Sequence, residues 1–577
     1  MAARASFVKY ESWMSPQADH TSSPRIAVVG AGWAGLAAAW KLKQAGWHTE
    51  VFEQAPVLGG RARKALIPRR NLILDNGQHL MLGAYRQILA LMQDIGIDLD
   101  EALLRLPLQL TTPDRRFGLR VNRAYPGPLR LPLALLRLTG LTVRDKFSLA
   151  RALFQLQLAA WQVKPELTVQ TWLDTQRQAP ALIQLFWAPL CIATLNTPVA
   201  EASMALFAGV LKDSLGAGAD ACDLILPRVD LSALWPEALA RQLTVHTNSP
   251  VRSITRTPDG YTLQIGLRDN NDNQMQHANG GRTAPFDAVI LAAPPLICHR
   301  LLARLAQDNV HHSADAIGTR AAIHDAAKPA TESPVPVPVP ESNSNSNQNQ
   351  NQNQNLNLNL NLNLNLNQQR TAPLLQQLQS FQYHAIATLT VFLAAPFPLP
   401  DCMYMLIENR DLDHDGQWLF NRSRFMQPSA SRGACVAPAD AANASASDEP
   451  TSARDDEHRH AISIVISHAD HLVGTDKNRI ADAVLAQVRS QLPKGVLLPA
   501  VLGHELIIEK RATFAATPLL ARPKNTTPWP GLFLAGDWTD TGYPAVLEGA
   551  VISGIGAAQA VRTSFDNKAA ANATARS

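Results

Sequence analysis

Close to its start the chain carries a glycine-rich turn that leaves few folds open. Arg25-Ile26-Ala27-Val28-Val29 is a short β-like run. It enters Gly30-Ala31-Gly32-Trp33-Ala34-Gly35, a G-x-G-x-x-G, and Leu36 to Ala45 then reads as a helix ended by Gly46. His48 to Glu53 is a second strand, and its terminal acid lies eighteen residues beyond Gly35. Strand, glycine turn, helix, strand and acid at these spacings describe a dinucleotide-binding β-α-β unit. Gly30 permits the tight turn, Gly32 lets backbone N–H groups approach a pyrophosphate, and Gly35 lets the helix pack on the strand. The helix N-terminus, with Ala34 in its first turn, stabilises phosphate charge. Glu53 is placed to accept hydrogen bonds from ribose hydroxyls.

Three further motifs narrow the cofactor. Gly59-Gly60-Arg61-Ala62-Arg63 adds a second glycine pair with a cation, which suits a longer dinucleotide whose flavin half needs its own backbone approach. Asp75-Asn76-Gly77-Gln78-His79 is a polar knot between the apolar runs Leu72–Leu74 and Leu80–Leu82. Such groups need partners when buried. Near the C-terminus, Gly531-Leu532-Phe533-Leu534-Ala535-Gly536-Asp537 is a strand ending in Gly–Asp. Val546 to Arg562 follows as a helix with small residues at Gly549, Ala550, Ser553, Gly554 and Gly556. Trp33, Trp538 and Tyr543 are either lining residues of a flavin or lipid site or plain core.

Taken together, the glycine turn, Glu53, the GGRA element, DNGQHLMLGAY and GDWTDTGYPAVLEGAVISG resemble the flavin-containing amine oxidase and phytoene desaturase superfamily. Within it they are most similar to the squalene-associated FAD-dependent enzymes of hopanoid biosynthesis, the hydroxysqualene dehydroxylases. The resemblance covers Arg25–Leu91 and Leu506–Val561 well and extends to Val245–Pro295. It implies non-covalent FAD, since no Cys falls within Gly531–Gly554. It also implies that Asp537, after Gly536, bonds the flavin's sugar-phosphate chain. The helix starting near Leu547 would face the flavin pyrimidine, where its positive end stabilises the reduced anion. Val251 matches the strand residue whose backbone meets adenine.

The fold expected is α/β, a discontinuous Rossmann-like FAD-binding domain with an α+β substrate domain. The FAD domain is assigned residues 24–100, 236–300 and 506–565. The substrate domain takes 101–235, read as mostly helical, and 301–505, with low-complexity insertions at 333–370 and 437–460. Residues 1–23 and 566–577 are read as disordered tails. The Leu- and Arg-rich stretch from Leu129 to Val163 is a lipid-tunnel cap, a membrane-surface element or a buried helical subdomain, and the sequence leaves the three open.

Composition removes other classes. Lys+Arg is 52 and Asp+Glu 48 in 577 residues, a net +4 too weak to argue nucleic-acid binding. Five scattered Cys with no CxxC pair argue against zinc, iron–sulfur and disulfide scaffolds, and no metal is expected. No apolar run of about 20 residues is present, so no transmembrane helix is expected. Met1 to Ser23 is a poor signal peptide. The expected location is cytoplasmic, with peripheral contact at the inner face of the membrane as an option.

The resemblance supplies the activity: reductive dehydroxylation of hydroxysqualene to squalene, with an isoprenoid lipid as substrate and an electron donor the sequence does not name. An allylic alcohol loses water once a proton is supplied, and reduced flavin can return a hydride. Asp75 and His79 are the candidate catalytic groups. The alternatives are a carotenoid (phytoene)-type desaturase, running the hydride the other way, or another amine oxidase-like oxidoreductase. Loop entropy changes by only about 0.6 kcal/mol per doubling of length. Deleting Ser342 to Gln369 should therefore leave soluble yield and flavin content unchanged; flavin absorbance per mole of purified protein checks this.

Overall fold

Arg25–Val29 is buried along nearly its whole length, and this sets its place at the centre of a parallel sheet. A strand apolar on both faces is stable only where both faces are covered. The computed structural model describes residues 23–218, 220–266, 281–307, 369–426 and 460–576. In it the first sheet runs in the order Thr244–His246, His48–Phe52, Arg25–Val29, Ala288–Leu291, Leu532–Leu534, with all neighbours parallel. Alternation along the strands divides its sides. Ile26, Val28, Ala288, Ile290 and Phe533 pack with helix α1 (Trp33–Gln44) and the C-terminal helix Leu547–Arg576. Ala27, Val29, Val289, Leu291 and Leu534 pack on the other side with Ile254, Leu263 and Phe286. The hairpin Val251–Thr257/Gly260–Ile265 lies on that side.

A second sheet is antiparallel and ordered Met403–Met405, Trp418–Asn421, His460–Ser467, Tyr383–Leu393, Val501–Phe514. One face buries Leu389, Val391, Ile462 and Ile464 against Ile480, Val484 and Val488 of the helix Lys477–Gln491. Its other face contributes Met403, Met405, Trp418, Phe420 and Phe514 to a core shared with helical residues such as Trp187, Phe186 and Phe207. The α/β class with an α+β second unit is thus as expected.

Three boundaries differ from the sequence reading. Within 101–235, Leu103–Leu106, Gln109–Thr111 and Gly118–Arg120 are short strands rather than helix. The first pairs with Leu224–Pro227, a partner more than a hundred residues away that local periodicity cannot reveal. Residues 506–514 continue the strand Val501–Phe514 and pair with Tyr383–Leu393, so they belong to the second sheet and not to the FAD-binding segment 506–565. Finally, 566–576 is not a disordered tail but the end of the C-terminal helix. Asp566 to Arg576 is rich in Ala and lacks Gly and Pro, so propensity alone carries the helix onward. Residues 1–22, most of the 333–370 insertion and 437–459 lie outside the described residues; Gln369 and Arg370 open a helix over 369–380 and His460 opens a strand.

The C-terminal helix reaches the sheet only by lying tightly on α1. A Cβ on Gly554 would sit 2.1 Å from the Ala34 carbonyl oxygen and 3.1 Å from the Ala37 Cβ. The Gly554→Ala variant should lose about 1–3 kcal/mol through overpacking, read as a lower midpoint in urea unfolding. Gly556→Ala, whose Cβ would meet a side chain, Asn525, at 2.8 Å, should lose less.

Candidate flavin site

At the C-terminal end of Arg25–Val29 the three glycines of the first turn have separable causes. Gly30 has φ +109°, and a Cβ there would stand 2.6 Å from the Ala292 carbonyl oxygen of the neighbouring strand's end. A Cβ at Gly35 would stand 2.0 Å from the Gly30 carbonyl oxygen. Both are glycine because protein backbone fills the space. Gly32 is different: its Cβ would meet only the Gly60 Cα, at an ordinary 3.7 Å. Nothing in the protein requires glycine there, whereas a phosphate lying on the turn does. Gly32 is also the N-cap of α1, with no capping side chain and no acid in the first turn. That leaves the helix N-terminus to an anion.

The second glycine pair closes on the first. Gly59 N–H donates to the Ala31 carbonyl at 3.0 Å, and Gly32 bridges Gly59. Gly60 has φ +65°, and a Cβ there would come within 2.9 Å of the Gly32 Cα. Glu53 is 7% exposed, and its carboxylate accepts from Ala31 N–H at 2.7 Å and Ala55 N–H at 2.8 Å. Each carboxylate oxygen keeps a second acceptor position, so ribose hydroxyls can still be received. Ser249 N–H donates to the Glu53 carbonyl at 2.7 Å. This holds Val251, two residues on, at the same end of the site. Ala34 serves packing too, its carbonyl lying against Gly554.

The next part of the site joins three distant segments. Arg61 donates to the Asp537 carboxylate and, at 2.7 Å, to the Ala512 carbonyl. Gly536 N–H donates to Ser553 Oγ at 2.9 Å, tying the Gly–Asp turn to the C-terminal helix. That helix begins at the half-buried Leu547. Glu548, beside it, caps another helix, accepting from Gln87 N–H at 2.8 Å and Ile88 N–H at 3.0 Å. Burial pushes its carboxyl up to about 7 against those two bonds.

The polar knot has two halves. Asp75 is buried and accepts from Leu231 N–H at 2.8 Å. Burial pushes its carboxyl up to about 7, with the Arg422 guanidinium opposing. Arg422 is itself buried and donates to Gln78 Oε1 at 3.0 Å. His79 Nδ1 lies 2.7 Å from the Gly77 carbonyl, so Nδ1 carries the proton. Burial, together with the charge of Arg61, holds the imidazole below its usual range and neutral. Around these groups, Tyr383 Oη, Thr388 Oγ1 and Asn421 Oδ1 are buried with no hydrogen-bond partner. Buried polar atoms are rarely left so; a polar ligand beside them would supply the partners.

Beside the start of the C-terminal helix lies a small pocket of ≈ 10 Å³, lined by Leu82, Ala84, Val210, Tyr543 and Val546 among others. It has room for about one water. Tyr543 O–H donates to Asp213 Oδ2 at 2.6 Å within this apolar lining. Trp33 and Trp538, by contrast, are core: their indole N–H groups donate to the Ala62 and Ala293 carbonyls.

Sequence reasoning named the glycines, Glu53, Arg61, Asp537 and the polar knot. It missed Glu548, Asp213, Tyr383, Thr388 and Arg422. Glu548 carried a signal, a lone acid inside AVLEGAV. The other four reach the site only through long-range packing.

A parallel sheet with an uncapped glycine turn, an acid at the next strand end and a closing C-terminal helix defines a flavin-dependent oxidoreductase. The chain belongs to the flavin-containing amine oxidoreductase family, which matches residues 33–323 and 418–562. It is 26% identical over 562 residues to a hydroxysqualene dehydroxylase of Rhodopseudomonas palustris, covering 93% of this chain and 98% of that one. A hydroxysqualene dehydroxylase of Sinorhizobium fredii is 23% identical, with 92% and 96% covered. A 15-cis-phytoene desaturase of an Oncidium hybrid cultivar is 30% identical over 117 residues, 19% of this chain and 20% of that one. The fold is shared with cyclohexylamine oxidase from Brevibacterium oxydans: TM-score 0.56, 14% identity, 94% of this chain and 100% of that one.

Replacing Gly32 with Ala should leave the circular dichroism spectrum intact, because the protein has room for the methyl group. The same change should strip flavin from the purified protein. Glu53→Ala should weaken flavin binding, each lost charge-assisted hydrogen bond being worth about 1.5–3 kcal/mol; fluorescence titration of the apoprotein with FAD reads both.

Proposed function

We propose that this protein binds FAD non-covalently and reductively dehydroxylates a hydroxysqualene-type isoprenoid alcohol to the hydrocarbon. The observation that carries the reading is coverage. Similarity to proteins named hydroxysqualene dehydroxylase runs through more than nine-tenths of the chain, substrate-side segments included. Similarity to a phytoene desaturase is confined to about a fifth of it. Two dinucleotide-type glycine turns and the Arg61–Asp537 pair support FAD. Non-covalent binding is supported by the cysteines: Cys298 is fully buried, and burial pushes its thiol up to about 12.

When bound, reduced flavin supplies the hydride. The chain must supply a proton to the departing hydroxyl and a dry, apolar site. Asp75, whose carboxyl burial pushes up to about 7, is partly protonated in neutral solution and is the proposed acid. Neutral His79, with its Nδ1–H fixed on Gly77, presents Nε2 as an acceptor and is the proposed proton-passing partner. Tyr543, held by Asp213 in the small apolar pocket, is the alternative proton donor.

Pre-reduced enzyme mixed with hydroxysqualene under argon should form squalene, identified by mass spectrometry. The acid must be protonated, so the single-turnover rate should be high below pH 7 and fall as pH rises through about 7. Asp75→Asn should abolish that limb and slow the reaction about 10²–10⁴-fold with flavin retained. A wild-type rate in Asp75→Asn and His79→Ala, with loss in Tyr543→Phe, would move the acid to the Tyr543–Asp213 pair. Phytoene turnover without squalene formation would replace the dehydroxylase reading with desaturation.

A further inference from the structure

A soluble surface helix buries one face and shows polar residues on the other. Helix α2, Val143–Leu158, does not. Its buried face is Leu149, Ala152 and Leu156. The opposite face carries Val143, Phe147, Phe154 and Leu158, which are 68%, 73%, 59% and 70% exposed. At about 3.6 residues per turn these four fall within roughly 60° of arc. The preceding helix, Gly127–Arg137, exposes Leu129 and Leu136 seven residues apart. Lys146 Nζ donates to the Leu136 carbonyl at 3.1 Å, which brings that end of one stripe beside the Val143–Phe147 end of the other. Phe147 and Phe154 are the two exposed phenylalanines among the described residues.

Charge is concentrated on the same segment. Residues 105–163 hold ten Arg or Lys and two Asp or Glu, a net +8 in a chain whose total is +4. Arg105, Arg120, Arg123 and Arg130 are paired with Asp223, Asp401 and Asp220. Arg137, Arg144 and Arg151 are exposed beside the apolar stripe. Under the first helix opens a cavity of ≈ 630 Å³ lined by Arg115, Arg120 and Arg137 among others. Among the described residues no helix is long and apolar enough to cross a membrane.

We infer that this face docks on the surface of an anionic lipid bilayer, with Phe147, Phe154 and Leu158 entering the acyl boundary and the arginines meeting lipid phosphates. Large exposed apolar groups with a cationic rim match an interface that is hydrocarbon below and negative above. A protein partner would need a complementary acidic rim, whereas an anionic leaflet supplies that charge everywhere. The inference stands on this face alone and holds whichever lipid the flavin site reduces.

The test is co-sedimentation of the full-length holoprotein with vesicles of phosphatidylglycerol or of phosphatidylcholine, in low and high salt. Binding should be about tenfold or more tighter to phosphatidylglycerol and weaken in 0.5 M salt. Phe147→Ser with Phe154→Ser should cut binding about tenfold or more while flavin content and thermal unfolding stay at wild-type values. Arg144→Glu with Arg151→Glu should remove the preference between lipids. Equal binding of the phenylalanine variant, or no wild-type binding to either vesicle, overturns the proposal. So does a wild-type dimer in analytical ultracentrifugation that this variant converts to monomer, since a second copy would then cover the face.

Discussion

Two glycine turns in backbone contact hold the flavin half of this molecule together. Gly59–Gly60 closes on Gly30–Gly32 through a hydrogen bond to Ala31 and an approach of Gly60 to Gly32 too close for a Cβ on Gly60. Glu53 fastens the same loop from the other side by receiving the Ala31 N–H. Because the contacts between the two turns are backbone to backbone, they set the position of Arg61 relative to α1 without relying on flexible side chains. Everything further out is placed from there. Arg61 reaches Asp537, Asp537 precedes the C-terminal helix, and that helix lies on α1 through Gly554.

The second unit completes the site rather than enclosing it as a separate body. Tyr383, Thr388 and Asn421 come from its sheet and Arg422 from the turn that follows Asn421; Arg422 meets Gln78, and Tyr383 lies by Arg61 of the first unit. Burial shifts the two titratable groups of the polar knot in opposite directions. Burial raises a carboxyl and lowers an imidazole. Asp75 is therefore partly protonated near neutral pH, while His79 is held neutral.

Much of this is legible in the amino-acid sequence. The β-α-β unit and the helix after Gly536–Asp537 rest on local patterns, and they form as read. The strand Leu103–Leu106 is not legible, because its pairing partner Leu224–Pro227 is brought up by the fold; Gln109–Thr111 and Gly118–Arg120 pair locally, but as three-residue strands they are too short to show an alternation. Residues 506–514 look like the lead-in to the flavin strand, yet hydrogen bonding to Tyr383–Leu393 carries them into the other sheet. The candidate site divides the same way. Glycines announce themselves by spacing. Tyr383, Thr388, Arg422 and Asp213 are single residues in unremarkable contexts, and only packing gives them a common address. The Leu- and Arg-rich segment, ambiguous in sequence, resolves into two helices, the second with opposed apolar faces.

The central claim is that the glycine cradle holds a flavin whose electrons go to a lipid alcohol. Anaerobic stopped-flow spectroscopy tests it directly: dithionite-reduced enzyme, freed of excess reductant, is mixed with hydroxysqualene and followed at the oxidised-flavin absorbance. That absorbance should return without oxygen, in step with one squalene formed per flavin. Persistence of the reduced spectrum with hydroxysqualene, or bleaching of the oxidised enzyme by a less conjugated lipid, would contradict it.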